Sequence, residues 1–234
     1  MTSLYHEPEA RQAPTAGALE LRDVFRIFGT GEAETVALRG LDLRVEAGEL
    51  LAVIGPSGSG KSTMLRLAAG LDVPSAGDVR AFGRSLVRLT AAELASYRAH
   101  EVAVVFQRGN LHSSLTAAEN VSLSMRLAGR RPGRHEAVAA LAEFGLEPAA
   151  GRRPQALSGG EQQRVAVAAA AARAARLVLA DEPTAELDEQ SEGDVLAALG
   201  HLRERGATVV VVTHSGRVAE WADRVIEIRD GRVA

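Results

Sequence analysis

The spacing of apolar residues along the chain predicts a series of short strands. Continuous apolar runs are typical of strands buried on both faces of a sheet, and they occur at residues 50–54, 102–106, 177–180 and 208–212. Alternating apolar and polar residues predict further strands at 19–27, 36–45 and 224–229. Asp230-Gly231 indicates a hairpin turn after the last of these.

Together with these strands, the segments that have helical spacing predict an α/β architecture. The run at 50–54 ends in glycines and leads into a helical stretch at 62–69, which is how a parallel α/β unit opens. Between residues 106 and 177 the pattern is helical, and Pro132 precedes an alanine-rich amphipathic stretch. Two pairs have capping-box spacing, Thr116 with Glu119 and Ser158 with Glu161. The pattern predicts an α/β core interrupted by a helical block.

Composition excludes several classes of function. A length of 234 residues fits one compact domain, or one domain with an inserted subdomain. The formal net charge of −3 argues against a global basic surface for gripping DNA, although it leaves a local basic patch open. Aromatic residues make up only 3%, too few for platforms that stack single-stranded bases. The lack of cysteine excludes disulfides, thiolate metal sites and a cysteine nucleophile.

Neither a membrane span nor a secretory signal is expected. The longest apolar stretch, residues 165–172, is far shorter than the ~20 residues that a spanning helix needs. Residues 1–17 contain charged residues and prolines without an apolar core, and we expect a disordered tail there.

The strongest chemical signal lies between a predicted strand and a predicted helix. The segment reads Gly55-Pro56-Ser57-Gly58-Ser59-Gly60-Lys61-Ser62 and matches G-x-x-x-x-G-K-[ST]. Glycines let successive backbone amides turn towards phosphate oxygens, and the helix start adds the positive end of its dipole. Lys61 is the only lysine among 27 Lys and Arg residues. The plain interpretation of this ratio is a coding bias that favours arginine. The single lysine nevertheless stands where a compact ammonium fits a phosphate cradle better than a guanidinium.

Two adjacent carboxylates follow the apolar run at 177–180. Asp181 can hold Mg²⁺ through water, as the second acidic group does in phosphate-loop enzymes. Glu182 is then free to polarise water for in-line attack on a γ-phosphate. Asp and Glu are also common at solvated strand ends, so the functional interpretation of this pair depends on the presence of the phosphate loop.

Three further elements have both a functional and a plain structural interpretation. Residues 157–164, Leu-Ser-Gly-Gly-Glu-Gln-Gln-Arg, place Ser158 and two glycines at a helix start, where free amides bind anions or the serine simply caps the helix. His214 and Gln107 each follow a buried strand, at the edge where open α/β sheets bind ligands. In the plain alternative, His214 neighbours a helix cap formed by Ser215, and Gln107 is unremarkable.

Taken together, these motifs resemble the nucleotide-binding subunit of an ATP-binding-cassette transporter. The resemblance rests on the order and gaps of the phosphate loop, Gln107, residues 157–161, Asp181-Glu182, Asp188 and His214, and it runs from about residue 19 to the end. It implies a phosphate-loop NTPase core of mostly parallel strands with flanking helices. It also implies a small antiparallel β lobe and a helical subdomain inserted at about residues 108–157, all within a single domain at 18–234.

The resemblance further implies a role for each matching residue. Phe28 would stack on adenine, and the phosphates would be bound by Gly55, Pro56, Ser57, Gly58, Ser59, Gly60, Lys61, Ser62, Thr63 and Gln107. The implied Mg²⁺ ligands are Ser62, Gln107 and Asp181. Glu182 is implied as the general base and His214 as the γ-phosphate switch. The residues implied to act on the nucleotide of the other subunit are Ser158, Gly159, Gly160 and Asp188.

The implied cofactors are ATP and Mg²⁺, and the implied assembly is an ATP-dependent homodimer. A separate transmembrane permease subunit would hold the chain peripherally on the cytoplasmic face of the cell membrane, and no nucleic-acid partner is expected. ATP hydrolysis would power that permease in export or extrusion. The alternative is an ATP-gated regulatory module of a membrane complex, of the cell-division type, without solute transport. A soluble DNA-repair cassette ranks lower, because its coiled-coil or zinc inserts have no room in 234 residues.

Two finer features resemble one branch of the family, and two other segments depart from the usual family pattern. The loop at 29–32 and the segment at 89–98 resemble the lipoprotein-releasing, macrolide-efflux and cell-division branch. Ala168-Ala169-Ala170 lacks the arginine usual there, and residues 111–115 lack the common Leu-Pro. These departures concern a helix surface and the region expected to contact the partner, not the catalytic set.

Overall fold

Ten strands and seven helices organise the computed structural model, which describes residues 17–29 and 34–234. In chain order the strands are β1 (Leu19–Phe28), β2 (Thr35–Val45), β3 (Leu50–Ile54), β4 (Ala76–Ala81), β5 (Arg84–Ser85), β6 (Val102–Val105), β7 (Leu177–Asp181), β8 (Thr208–Thr213), β9 (Arg224–Arg229) and β10 (Arg232–Val233). The helices are α1 (Lys61–Ala68), α2 (Ala91–His100), α3 (Ala117–Leu127), α4 (Arg134–Ala142), α5 (Gly159–Ala172), α6 (Glu189–Glu204) and α7 (Gly216–Trp221).

The larger sheet has the strand order β10-β9-β3-β8-β7-β6 and is parallel except where β10 pairs antiparallel with β9. Its central strands β3, β7 and β8 are buried along almost their whole length, so both faces must be apolar. The strands predicted from continuous apolar runs are therefore confirmed. The Asp230-Gly231 turn between β9 and β10 is confirmed as well.

The smaller sheet is antiparallel, with the order β2-β1-β4-β5, and it confirms the expected β lobe. Alternate residues of β3 show how the layers stack. Leu51 and Val53 belong to a buried cluster shared with the smaller sheet, α1 and α2. Leu50 and Ala52 belong to a second cluster shared with α3, α4, α5 and α6. The larger sheet thus lies between a layer formed by the β lobe, α1 and α2 on one face and a layer formed by α3, α4, α5 and α6 on the other.

Helices fill the chain between β6 and β7, as predicted. Both capping boxes are present, at Thr116 before α3 and at Ser158 before α5, and the helix predicted after Pro132 is α4. These helices share one buried cluster with the larger sheet, so the helical residues have no separate apolar core. The extent of the inserted subdomain, about residues 108–157, stays a prediction.

Several elements are absent from the sequence prediction. Strands β4 and β5 and helix α2 are not predicted by the apolar pattern, and α2 occupies most of the segment at 89–98. The tail expected at 1–17 and the loop at 29–32 lie outside the described residues, apart from Gly17 and Gly29. Within the described ranges, no helix combines the length and the apolar character needed to cross a bilayer.

Candidate functional site

Four parallel strands deliver the predicted residues to one edge of the larger sheet. The phosphate loop follows β3, Gln107 follows β6, Asp181 ends β7, and His214 follows β8. Because the strands are parallel and adjacent, their carboxyl ends meet at the same edge. A cleft of about 440 Å³ opens there, and it is lined by residues 57–63 together with Ala37, Gln107, Glu182 and His214.

Two glycines of the phosphate loop, Gly55 and Gly60, are required by both the backbone and its surroundings. Gly55 has φ 148° and Gly60 has φ 105°, both in the region that disfavours side chains. A Cβ on Gly60 would lie 2.5 Å from the carbonyl oxygen of Ala37, and one on Gly55 would lie 2.1 Å from that of Ile228. The loop therefore passes too close to neighbouring backbone for any other residue.

The Lys61 ammonium is held inside its own loop. Its Nζ donates to the carbonyl oxygen of Gly55 at 2.7 Å and to that of Pro56 at 3.0 Å, and the residue is only 7% exposed. The hydroxyl of Ser59, which lines the same cleft, is buried and has no partner among the described residues. A buried donor without a partner, beside a fixed positive charge and the start of α1, fits a site for an anion.

Asp181 and Ser62 form the oxygen pair at one side of the cleft. Ser62 Oγ donates to Asp181 Oδ1 at 3.0 Å. Burial raises the pKa of the Asp181 carboxyl, with the hydrogen bond from Ser62 acting against that rise and the charge of Glu182 adding to it. Hydroxyl and carboxylate oxygens suit Mg²⁺, which usually takes few protein ligands and completes its shell with phosphates and waters. The described residues contain no cluster of three or more His, Cys, Asp or Glu placed for a metal.

Glu182 and His214 line the cleft and contact each other directly. Glu182 Oε1 lies 3.0 Å from His214 Nδ1, and Glu182 Oε2 accepts from the backbone amide of His214 at 3.3 Å. The backbone of Glu182 has φ 47°, a conformation that non-glycine residues rarely adopt. Such a residue persists only where its surroundings hold it, and here its amide also donates to the carbonyl of Val212.

Gln107 is positioned by a buried glutamine of α5. Gln163 Nε2 donates to the carbonyl oxygens of Gln107 at 2.6 Å and of Phe106 at 3.1 Å. Asn110 adds a second link, since its Nδ2 donates to Gln163 Oε1 at 2.8 Å. The loop that starts at Gln107 is thereby anchored to α5 while its first side chain lines the cleft.

Phe28 lies outside the residues that line the cleft, at the exposed end of β1. Its side chain is 38% exposed, and the guanidinium of Arg26 lies 4.3 Å from the ring centroid. Two hydrogen bonds from Arg26 to Asp72, at 2.9 and 3.1 Å, hold that guanidinium in place. One face of Phe28 is therefore occupied by a cation.

The remaining predicted residues form a separate group at the starts of α5 and α6. In the part of the chain that the structure describes, the cleft lining does not include Ser158, Gly159, Gly160 or Asp188. Ser158 caps α5 by accepting from Glu161 N at 3.2 Å, and Asp188 caps α6 by accepting from Ser191 N at 2.9 Å. Both residues are exposed. Within one chain the structure does not bring this group together with the phosphate loop.

Both departures from the family pattern border one groove. A groove of about 460 Å³ is lined by Leu111, His112, Ala169 and Arg173, among others, and it lies between α3, α5 and the loop after Gln107. Sequence reasoning missed Ala37, which lines the cleft and whose carbonyl oxygen lies against Gly60, because a small residue in a strand carries no chemical signal.

Comparisons with known proteins bear on this geometry. A family model described as ABC transporter matches residues 38–185. The macrolide export ATP-binding/permease protein MacB of Rhodopseudomonas palustris (strain HaA2) is 46% identical over 218 residues, which is 92% of this chain and 33% of that protein. The protein of the same name from Escherichia coli is 43% identical over 217 residues, or 92% of this chain and 34% of that protein. The chain thus spans about a third of the length of these curated relatives.

Solved structures give the same picture of the fold. A dimeric ATP-binding cassette in a post-hydrolysis state with ADP and Pi aligns with a TM-score of 0.84 and 38% identity, covering 92% of this chain and 96% of that one. A dimeric bacterial ABC transporter cassette aligns with a TM-score of 0.84 and 39% identity, with the same coverage.

Proposed function

Since the chain belongs to the ABC transporter family and is an ATP-hydrolysing cassette, we propose that two copies bind two MgATP between them to drive a membrane permease. One observation carries this proposal. The phosphate loop, Gln107, Glu182 and His214 share one cleft, whereas the exposed residues Ser158 and Asp188 lie outside it. A second copy would supply the latter group to the nucleotide.

The phosphate-binding residues act by position and charge. Lys61 and the amides at the start of α1 would hold the β- and γ-phosphates, and Ser62, Asp181 and Gln107 would hold Mg²⁺. When bound, Mg²⁺ supplies positive charge that offsets the charge developing on the phosphate oxygens. Because Lys61 is already fixed by two carbonyls, binding requires little ordering of its side chain.

Glu182 and His214, which also line the cleft, are the proposed reaction residues. Glu182 would accept a proton from the water that attacks the γ-phosphate, and His214 would donate a hydrogen bond to that phosphate. The Nδ1 contact with Glu182 orients the imidazole, and with both ring nitrogens protonated Nε2 would donate to the γ-phosphate. In an in-line displacement the attacking water lies opposite the leaving oxygen of the γ-phosphate, which is where Glu182 would have to hold it.

The partner is proposed to be a permease of the export or extrusion kind. Support comes from the curated relatives, whose names join an ATP-binding and a permease function in macrolide export. The groove bordered by Leu111 and Ala169 is the candidate contact surface, because the loop that starts at Gln107 lines both the cleft and this groove. Through that contact the chain would lie on the cytoplasmic face of the membrane.

A stalled dimer tests the paired-site mechanism. Glu182→Gln keeps the shape of the side chain but removes the base, so hydrolysis should fall by at least ~10²-fold while ATP still binds. Because the γ-phosphate would bridge Lys61 of one copy and Ser158 of the other, ATP should trap a dimer and ADP should not. The measurement is size exclusion with light scattering, with ATP, with ADP and without nucleotide.

A second variant separates the interface from the cleft. Adding Ser158→Arg to Glu182→Gln should prevent the dimer by placing bulk at the start of α5, while ATP binding to the monomer persists. Both proteins should also be tested in detergent together with the permease, because the permease can strengthen a weak dimer. If Glu182→Gln stays monomeric with ATP in both settings, or hydrolyses ATP at the parent rate, the paired-site mechanism is wrong.

A further inference from the structure

Helix α6 carries a buried carboxylate, Glu192, outside the cleft. The residue is only 9% exposed. Its Oε1 accepts from Ser215 Oγ at 3.0 Å and from Thr184 Oγ1 at 3.3 Å, and its Oε2 lies 3.6 Å from Nη1 of Arg217. Because Glu192 is not among the residues that line the cleft, a direct contact with the nucleotide is not expected of it.

The two hydroxyls that Glu192 binds belong to the two loops that carry the reaction residues. Thr184 follows Glu182 by two residues in the loop after β7, and Ser215 directly follows His214 in the loop after β8. Glu182 and His214 touch each other at 3.0 Å inside the cleft. Glu192 therefore forms a second connection between the same two loops, beneath the first.

Neither helix capping nor packing explains the choice of a carboxylate. Glu189 already places a negative charge in the first turn of α6, where it is exposed and pairs with Arg217 at 2.8 Å. Burial of a carboxylate carries a desolvation cost that an apolar side chain of similar size avoids. Leu or Met would lack both an oxygen that accepts from the two hydroxyls and the charge that faces Arg217, and only the oxygen is kept in a Gln substitution.

We propose that Glu192 is a positioning residue for ATP hydrolysis, which sets the placement of Glu182 relative to His214 by holding Thr184 and Ser215. This inference rests on the proposed roles of Glu182 and His214. Because α6 is a sixteen-residue helix packed on α5, it gives the two loops a rigid common support.

Steady-state kinetics separates positioning from folding. Glu192→Leu removes the acceptor oxygens and should lower kcat about 10-fold to 100-fold, the scale of a small misplacement of reacting groups, while KM for ATP changes less than about twofold. Ser215→Ala should lower kcat in the same way. Since Glu192 and Ser215 form one link, the kcat of the double variant should be only slightly lower than that of the slower single variant.

Conservative and matched variants complete the test. Glu192→Gln keeps an oxygen that accepts both hydroxyls and should retain kcat within about twofold of the parent. Glu204→Ala changes a glutamate at the exposed end of the same helix and should leave kcat unchanged. Without nucleotide, hydrogen exchange of amides at 182–188 and 213–216 should quicken in Glu192→Leu alone among these three.

The outcomes distinguish failure of this inference from failure of the proposed function. If Glu182→Gln still hydrolyses ATP, the role proposed for Glu182 is wrong. If Glu182→Gln is inactive while Glu192→Leu matches the parent in kcat and in amide exchange, only the inference is overturned. It is also overturned if Glu192→Leu merely lowers the folded fraction, or if Glu192→Gln loses as much kcat as Glu192→Leu. Should Glu192→Leu not fold, Ser215→Ala and Glu192→Gln carry the same comparison.

Discussion

At Asp181, the ionised form of the half-buried carboxyl would bind Mg²⁺, but the same ionised form lowers the stability of the folded chain. Burial raises its pKa, so the folded chain binds a proton there more tightly than the unfolded chain, in which aspartate titrates near pH 4. Stability is therefore lost at this residue as the pH rises from about 4 through the raised pKa of the folded state. The cost is fully present above the raised pKa.

Asp181→Asn should remove that cost while keeping an oxygen that accepts from Ser62. We expect the nucleotide-free variant to have a higher Tm than the parent at pH 7, with the difference vanishing below about pH 4. Its Mg²⁺-dependent affinity for ATP should fall, whereas binding in EDTA should match the parent. A variant that melts below the parent at pH 7 would contradict the assignment of burial as the dominant influence.

The exposed ring of Phe28 has one face covered by Arg26, and the adenine is predicted to stack on the other. Phe28→Ala should weaken ATP binding by ~1–3 kcal/mol, the scale of base–aromatic stacking, and Phe28→Tyr should be nearly neutral. Binding of tripolyphosphate, which has no base, is the control and should be equal in all three proteins. If Phe28 serves only to pack Arg26, the alanine variant will lose thermal stability and keep its affinity for ATP.

At the scale of elements, the starts of α5 and α6 pack so closely that Gly160 has no room for a side chain. A Cβ on Gly160 would lie 2.8 Å from Ser191 Cβ, whereas a Cβ on Gly193, in α6, meets no described atom within 4 Å. The amide of Ser191 donates to Asp188, so a displacement of Ser191 also reaches Asp188, which is proposed to act on the nucleotide of the other copy. The same substitution should thus have opposite effects at two glycines of neighbouring helices.

Gly160→Ala should destabilise the chain by about 1–3 kcal/mol through overpacking, although alanine favours helices. Gly193→Ala should stabilise it by up to about 1 kcal/mol. Chemical denaturation of both variants measures the two free energies. Equal shifts of the same sign would mean that α5 and α6 adjust to the added methyl and that the close approach is not specific.

The elements also show what the sequence can and cannot predict. Strands β3, β7 and β8 are predictable because burial on both faces forces a continuous apolar run. Strand β4 is not, because its sequence Ala-Gly-Asp-Val-Arg-Ala is buried only at Val79 and Ala81. Helix α2 carries a capping box at Thr90 and Glu93, so the signal used for α3 and α5 was present there too.

Some residues of the candidate site can be identified from the local sequence, whereas others can be identified only from the tertiary structure. Gly55 and Lys61 can be recognised in sequence because their chemistry is local to one loop. Glu192, Arg26 and Ala37 cannot, because each matters only through residues far away in the chain. The two glycines at 159–160 suggest free amides in sequence, and in the structure Gly160 is also a packing contact.

At the scale of the whole molecule, the C-terminal hairpin connects the β lobe to the phosphate loop. The amide of Gly231 donates to the carbonyl of Ser59 at 3.0 Å, and its carbonyl accepts from Arg39 N of β2 at 2.9 Å. Gly231 has φ 77°, and a Cβ there would lie 2.7 Å from the carbonyl oxygen of Ala37. One turn thus contacts both the smaller sheet and the loop that is proposed to hold the phosphates.

Lys61, the buried lysine of that loop, is also the single position in the sequence at which a lysine-specific endoprotease can cut. The susceptible bond lies at the first residue of α1, so cleavage requires the loop and the helix start to open. When opening is fast compared with cleavage, the rate at which fragments 1–61 and 62–234 appear follows the population of the open form. Bound ATP should slow that rate by a factor of 1 + [ATP]/Kd. Digestion of the unlabelled chain therefore reports nucleotide occupancy on a gel.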